Sequence, residues 1–93
     1  MTSTSHRGAK SLKLLGSAQG AGVLRAGARA IPVDYQLDTF EERQRRSFGG
    51  ELEGDLAFAA DGMAAELELA TGERLAVLLI KPDDQGADFR QAG

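Results

Sequence analysis

From Ser47 to Phe58 the chain alternates over an unusual length. Phe48, Gly50, Leu52, Gly54, Leu56 and Phe58 occupy even positions, and Ser47, Glu51, Glu53 and Asp55 occupy odd ones. Successive side chains of an extended strand point to opposite faces, so this pattern makes a ribbon with one apolar face and one charged face. A helix would spread the same residues around its circumference. The stretch therefore commits the chain to half-buried β-structure, and 93 residues allow one small domain.

The same period recurs upstream. Ile31, Val33, Tyr35 and Leu37 share one face, and Pro32, Asp34, Gln36 and Asp38 share the other. Pro32 cannot donate to a ladder, which places it near an edge, a strand start or a bulge. Asp61-Gly62 has the composition of a two-residue hairpin turn. Closing a hairpin there sets Phe58 opposite Ala65, Leu56 opposite Leu67 and Gly54 opposite Leu69, all on the apolar face. A further hairpin is expected at Ala70-Thr71-Gly72, with Gly72 in the left-handed position of a three-residue loop. That loop pairs Leu67 with Leu75 and Ala65 with Val77. Residues 75–80 are apolar throughout, as in a strand covered on both faces. Pro82 and "DDQG" end it, and "ADFR" leaves room for a short last strand.

"GSAQGAGVLRAGARAIPV" reads as a hairpin turning at Ala26-Gly27, with Gly22, Gly20 and Ala18 against Ile31, Val33 and Tyr35. Small residues opposite large ones suit the crowded interior of a curled sheet. A glycine-rich arm is entropically weak, so residues 16–22 are left open between strand and loop. Consecutive hairpins place each strand beside its sequence neighbour, and a one-sided sheet without helices has to curl on itself. The expected architecture is all-β: a small antiparallel meander β-barrel or roll of five to six strands. It spans residues 10–93, and residues 1–9 form a Ser/Thr-rich flexible tail.

The connector "TFEERQRRSFGG", residues 39–50, allows at most one short helical turn near residues 40–46. Thr39 and Glu42 have capping-box spacing, and Glu41–Arg45 and Glu42–Arg46 are each four apart in the favoured order. Two helical turns are marginal alone, so an extended hairpin tip stands beside the helical reading. In both readings acids lie near the arginines, and Arg43 has the weakest partner.

Net charge is −3, which argues against a general nucleic-acid binder. The balance is uneven. Residues 1–50 carry eight Lys/Arg against four Asp/Glu, and residues 51–93 carry three against ten. Two differently charged faces, a basic site or a head-to-tail self-association would each produce it. No cysteine means no disulfide and no thiol chemistry, which fits a reducing compartment. "LKLLG" is too short for a signal-peptide apolar region and no run approaches a membrane span, so the cytoplasm is the default and no membrane partner is expected.

Enzymatic constellations are missing. The single histidine, His6, falls in the expected tail, which removes histidine triads and His-rich metal sites. "GAGVLR" has Arg25 where a dinucleotide fingerprint needs its third glycine, and no Gly-Lys-Ser/Thr follows a glycine run. Glu51, Glu53 and Asp55 line one strand face, with Glu66 and Glu68 on the next strand and Asp34 and Asp38 on the other side. Such crowding costs stability and calls for a cation, a basic partner or solvent screening. Solvent screening is the expected answer, so neither a metal nor a cofactor is assigned. Of the aromatics, Tyr35, Phe48 and Phe58 fall on apolar strand faces and read as core. Phe40 breaks the parity and reads as a loop residue packing back.

Phosphate is the ligand these residues suit best. Arg25 and Arg29 flank an expected tight turn, and Arg43, Arg45 and Arg46 crowd the next loop beside Ser47. Guanidinium forks match phosphate geometry. Arg25-Ala-Gly-Ala-Arg29 has the Arg-x-x-x-Arg form, and Arg45-Arg46-Ser47-Phe48-Gly49-Gly50 has the Ser and Gly of Asp/Asn-x-Ser-x-x-Gly. In these few positions the chain resembles PilZ domains, small β-barrels that bind cyclic di-GMP. The resemblance implies an anionic-ligand site on these residues, although Arg45 stands where that family has Asp or Asn. Two functions are carried forward. The first is a non-enzymatic barrel that binds another protein or its own copy. The alternative is a small anionic-ligand binder using Arg25, Arg29, Arg43, Arg45, Arg46 and Ser47.

Overall fold

The computed structural model describes residues 13–92, and the expected tail at 1–9 lies outside them. The described residues contain six strands and no helix. These are β1 (Lys13–Ala26), β2 (Arg29–Glu42), β3 (Arg45–Glu53), β4 (Ala64–Glu68), β5 (Arg74–Ile80) and β6 (Gly86–Gln91). All pairings are antiparallel, and they close a barrel in the order β1-β2-β3-β6-β5-β4. The all-β antiparallel barrel expected from the alternation is the observed fold.

Side-chain parity and the Gly72 loop follow the sequence closely. The β4–β5 hairpin pairs Leu67 with Leu75 and Ala65 with Val77, as expected. Its loop closes through Gly72 N–H to the Leu69 carbonyl, with Gly72 at φ 93°. Glycine-rich β1 is a strand along its whole length and turns into β2 at Gly27-Ala28. Its register differs by two residues from the expected one: Gly22 faces Val33, Gly20 faces Tyr35 and Ala18 faces Leu37. A two-residue slip keeps every side chain on its own face, so the hydrophobic pattern cannot distinguish the two registers. Packing does. The Tyr35 ring lies against Gly20 and Gly22, where a Cβ at Gly20 would sit 2.7 Å from the hydroxyl, and that hydroxyl accepts a hydrogen bond from Ala70 N–H at 3.1 Å.

The expected Asp61-Gly62 hairpin does not form, and with it goes a strict meander. Strand β3 stops at Glu53 and takes β6, not β4, as its second neighbour. Residues 54–63 instead cross one end of the barrel. There Gly54 N–H and Leu56 N–H donate to the Gln85 and Asp83 carbonyls, and Leu56 is fully buried. Asp61 accepts from Lys81 N–H, and Gly62 N–H donates to the Leu79 carbonyl, so this segment docks beside β5. Leu56 thus reaches the core as an end plug, a use of the same apolar parity that periodicity alone does not reveal.

The core contains Leu24, Val33, Tyr35, Leu52, Leu56, Leu67, Leu69, Val77, Leu79 and Phe89. Strand β5 is covered on one face only, since Leu78 and Ile80 stay partly exposed beside buried Val77 and Leu79. Among the described residues the longest strands are β1 and β2, with 14 residues each, against 5 to 7 in β4, β5 and β6. Their outer halves, with the start of β3, therefore extend past the barrel as a three-stranded arm. The molecule measures 48 × 26 × 22 Å as a result.

Of the two readings open for residues 40–46, a helical turn or a hairpin tip, the hairpin tip is the one observed. Glu42 pairs with Arg45 and Glu41 with Arg46 across β2–β3, and Arg43 and Gln44 form the turn at φ 52° and 68°. Positive φ at both central residues is the I′ geometry that matches strand twist. Phe40 belongs to β2 and faces Leu14 and Ser47 across the strands, so it is a strand residue and not a loop residue.

Candidate functional site

The arginines singled out in the sequence occupy two opposite ends of the molecule. Arg29 opens β2 and Arg43 follows its last residue, so roughly 45 Å of strand separates them at a rise of ~3.3 Å per residue. Arg25 donates to Glu68 Oε1 at 2.8 Å. Arg29 holds its guanidinium 4.8 Å above the centroid of Phe58. Both therefore have partners at the closed end of the barrel. Arg43, Arg45, Arg46 and Ser47 lie at the arm tip. The two elements of the PilZ resemblance do not come together in one cluster.

At the arm tip a groove of about 600 Å³ lies against the outer edge of β3, lined by Arg43, Arg45, Arg46, Ser47, Glu42 and Arg90 among others. Strand β6 pairs with β3 only over Gly49–Glu53, which leaves Arg45–Phe48 without a strand on that side among the described residues. Arg90 faces Gly49 across the ladder and brings a fourth guanidinium from β6. Sequence reading missed Arg90, since it lies outside every arginine-dense stretch. Its signal was indirect: it follows Phe89, whose inward position fixes Arg90 outward.

Among the described residues three ion pairs within 4.0 Å are present: Arg25–Glu68, Arg74–Glu66 and Arg74–Glu68. The Arg25 hydrogen bond chiefly holds the Glu68 carboxyl below its ordinary value; burial opposes it, and the Arg25 and Arg74 charges each add a smaller lowering effect. The four groove arginines have no acid within that distance among the described residues, although Glu41 and Glu42 stand opposite Arg46 and Arg45 in register.

The acidic strand faces divide similarly. Glu66 and Glu68 are offset by Arg25 and Arg74. Asp34 faces Glu53 and Glu51 faces Asp88 directly across strands, all exposed to solvent. Among the described residues no group of three His, Cys, Asp or Glu is disposed to hold a metal ion.

Comparison with protein-family models, curated proteins and solved structures finds no match.

The second candidate surface is the other open edge. Strand β4 pairs with β1 only at Val23–Arg25. Lys13–Ala21 therefore presents free backbone groups on that side among the described residues. The stretch reads KLLGSAQGA, with one charge and no proline. Leu14 is 57% exposed and Leu15, at a bulge, 39%. No described helix is long and apolar enough to cross a membrane.

Proposed function

We propose that this protein is a non-enzymatic β-barrel module that associates with a second copy of itself through the open edge of β1. The observation that carries the reading is the contrast between the two edges that are free among the described residues. Proteins blunt exposed edges with charge, proline, bulges or cover, because unpaired N–H and C=O groups recruit other strands. The β3 edge is guarded by Arg45 and Arg46. The β1 edge carries no charge from Leu14 to Leu24, and its two exposed leucines add apolar surface there.

A second copy suits this edge in charge and in size. Strand β4 already occupies the edge from Val23 onward, so an antiparallel pairing of two copies has to be centred near Ser17. That register sets Leu14 against Gly20 of the second copy and Gly16 against Ala18. Large residues meet small ones, and no like charges are opposed. Strand addition draws its affinity from main-chain hydrogen bonds, which no catalytic group is needed to supply. The lack of cysteine fits a reducing compartment, and we place the module in the cytoplasm.

Sedimentation of the full chain across a concentration series tests this reading. A dimer is expected, and the double variant Ser17→Lys/Gln19→Lys should convert it to monomer with an unchanged far-ultraviolet spectrum. Ser17 donates to Asp38 at 2.6 Å and Gln19 reaches Gln36, so lysines there face polar neighbours within one copy and oppose lysines only across the pair. A wild-type protein that stays monomeric at all concentrations refutes the proposal, as does a dimer that survives the double substitution.

A further inference from the structure

We infer that the groove at the arm tip is a binding site for a small ligand carrying phosphate groups, held by Arg43, Arg45, Arg46 and Arg90. Seven arginines lie among the described residues. Arg25 and Arg74 are ion-paired, and Arg29 is placed over an aromatic ring. The remaining four all line one groove. Their convergence comes from two strands and a turn that only the barrel's pairing brings together. In a protein of net charge −3 this is a local concentration of cations that have no ion pair among the described residues, with Glu42 as the one acid in the lining.

Edge protection explains Arg45 and Arg46, but two features go beyond it. Arg90 sits on a strand already paired on both sides, where there is no edge to guard. Arg43 occupies a left-handed turn position at φ 52°, where Asn, Asp or Gly is ordinarily preferred. Backbone strain of this kind concentrates at ligand sites. The five donors of each guanidinium, and the Ser47 hydroxyl within the same lining, suit the several acceptor oxygens of a phosphate group. Open to solvent on one side, the groove fits a compact anion and leaves room for the organic remainder of a phosphate ester.

Inorganic pyrophosphate is a sufficient probe, titrated into isotopically labelled protein at low salt, with citrate as a carboxylate polyanion for comparison. Amide shifts are expected at Arg45–Gly49 and at Arg90, and not at Arg25 or Arg29. Arg90→Gln and Arg45→Gln should each weaken binding about tenfold, the usual size of a lost charged hydrogen bond, whereas Arg25→Gln should leave it unchanged. Both groove variants replace an exposed side chain, and unchanged amide spectra elsewhere confirm that the fold is kept. Three results overturn the inference: no shift with pyrophosphate, shifts spread over all arginines alike, or citrate binding as tightly as pyrophosphate. Oligomeric state does not enter the measurement, so the outcome is independent of the β1 edge.

Discussion

Replacing Arg43-Gln44 by Asn-Gly tests the arm tip from the side of stability. Both residues stand at positive φ, 52° and 68°. For an L-residue with a Cβ this conformation costs roughly 1–2 kcal/mol, because Cβ crowds the following carbonyl. Asparagine tolerates it better, and glycine adopts it without the steric cost but loses more backbone entropy on folding, about 0.5–1 kcal/mol. Both native side chains are exposed, and no ion pair of Arg43 is present among the described residues to be lost. The net expectation is a gain of about 1 kcal/mol, which for a domain of this size raises Tm by roughly 4–8 °C. The helical alternative for residues 40–46 predicts the opposite sign, since glycine inside a helix costs about 1 kcal/mol relative to alanine. Thermal melts of the wild type and the double variant, followed by far-ultraviolet circular dichroism, decide between them. A Tm that is unchanged or lower refutes the two-residue turn. The same variant lacks Arg43, so it should hold pyrophosphate less tightly while being more stable.

Three further expectations follow, two of them from the opposite end of the barrel. Because Arg25 lowers the Glu68 carboxyl, the unfolded chain binds that proton more readily than the folded one. The stabilisation is full above the ordinary glutamate value of about 4.3 and is lost as pH falls through the lowered one. Urea midpoints of the wild type and Glu68→Gln should differ at neutral pH and converge in acid, whereas a gap that does not change with pH contradicts the assignment. Leu56→Ala removes a fully buried end plug and should cost about 3 kcal/mol. Leu14→Ala, at a 57% exposed position, should stay within about 0.5 kcal/mol. A Leu56→Ala melt close to the wild type would mean that residues 54–63 do not seal the barrel.

Side-chain parity and the Gly72 loop were legible in the sequence because both are local. Gly72 fixed its loop, and that loop fixed the pairing of Leu67 with Leu75. Partner identity was not legible, since any shift by two residues preserves the faces. Phe58 opposite Ala65 satisfied the pattern as fully as the observed β3–β6 ladder does, and the choice was made by how Phe89, Leu56 and Tyr35 fill one interior. The arginines show the same limit from the functional side. Arg29 and Arg43 are close in the chain, yet an unbroken strand carries them to opposite ends of the molecule. Arg90 is remote in the chain, yet the Gly49–Arg90 pair sets it beside Arg45 and Ser47. In an extended chain, proximity in sequence beyond a turn implies distance in space. A cluster of cations in a β-barrel is therefore identified by its ladder, and the groove follows from the ladder: β6 ends at Gln91 while β3 runs on to the tip. Among the described residues this shortfall in strand length leaves the β3 edge open and gathers the four arginines around it.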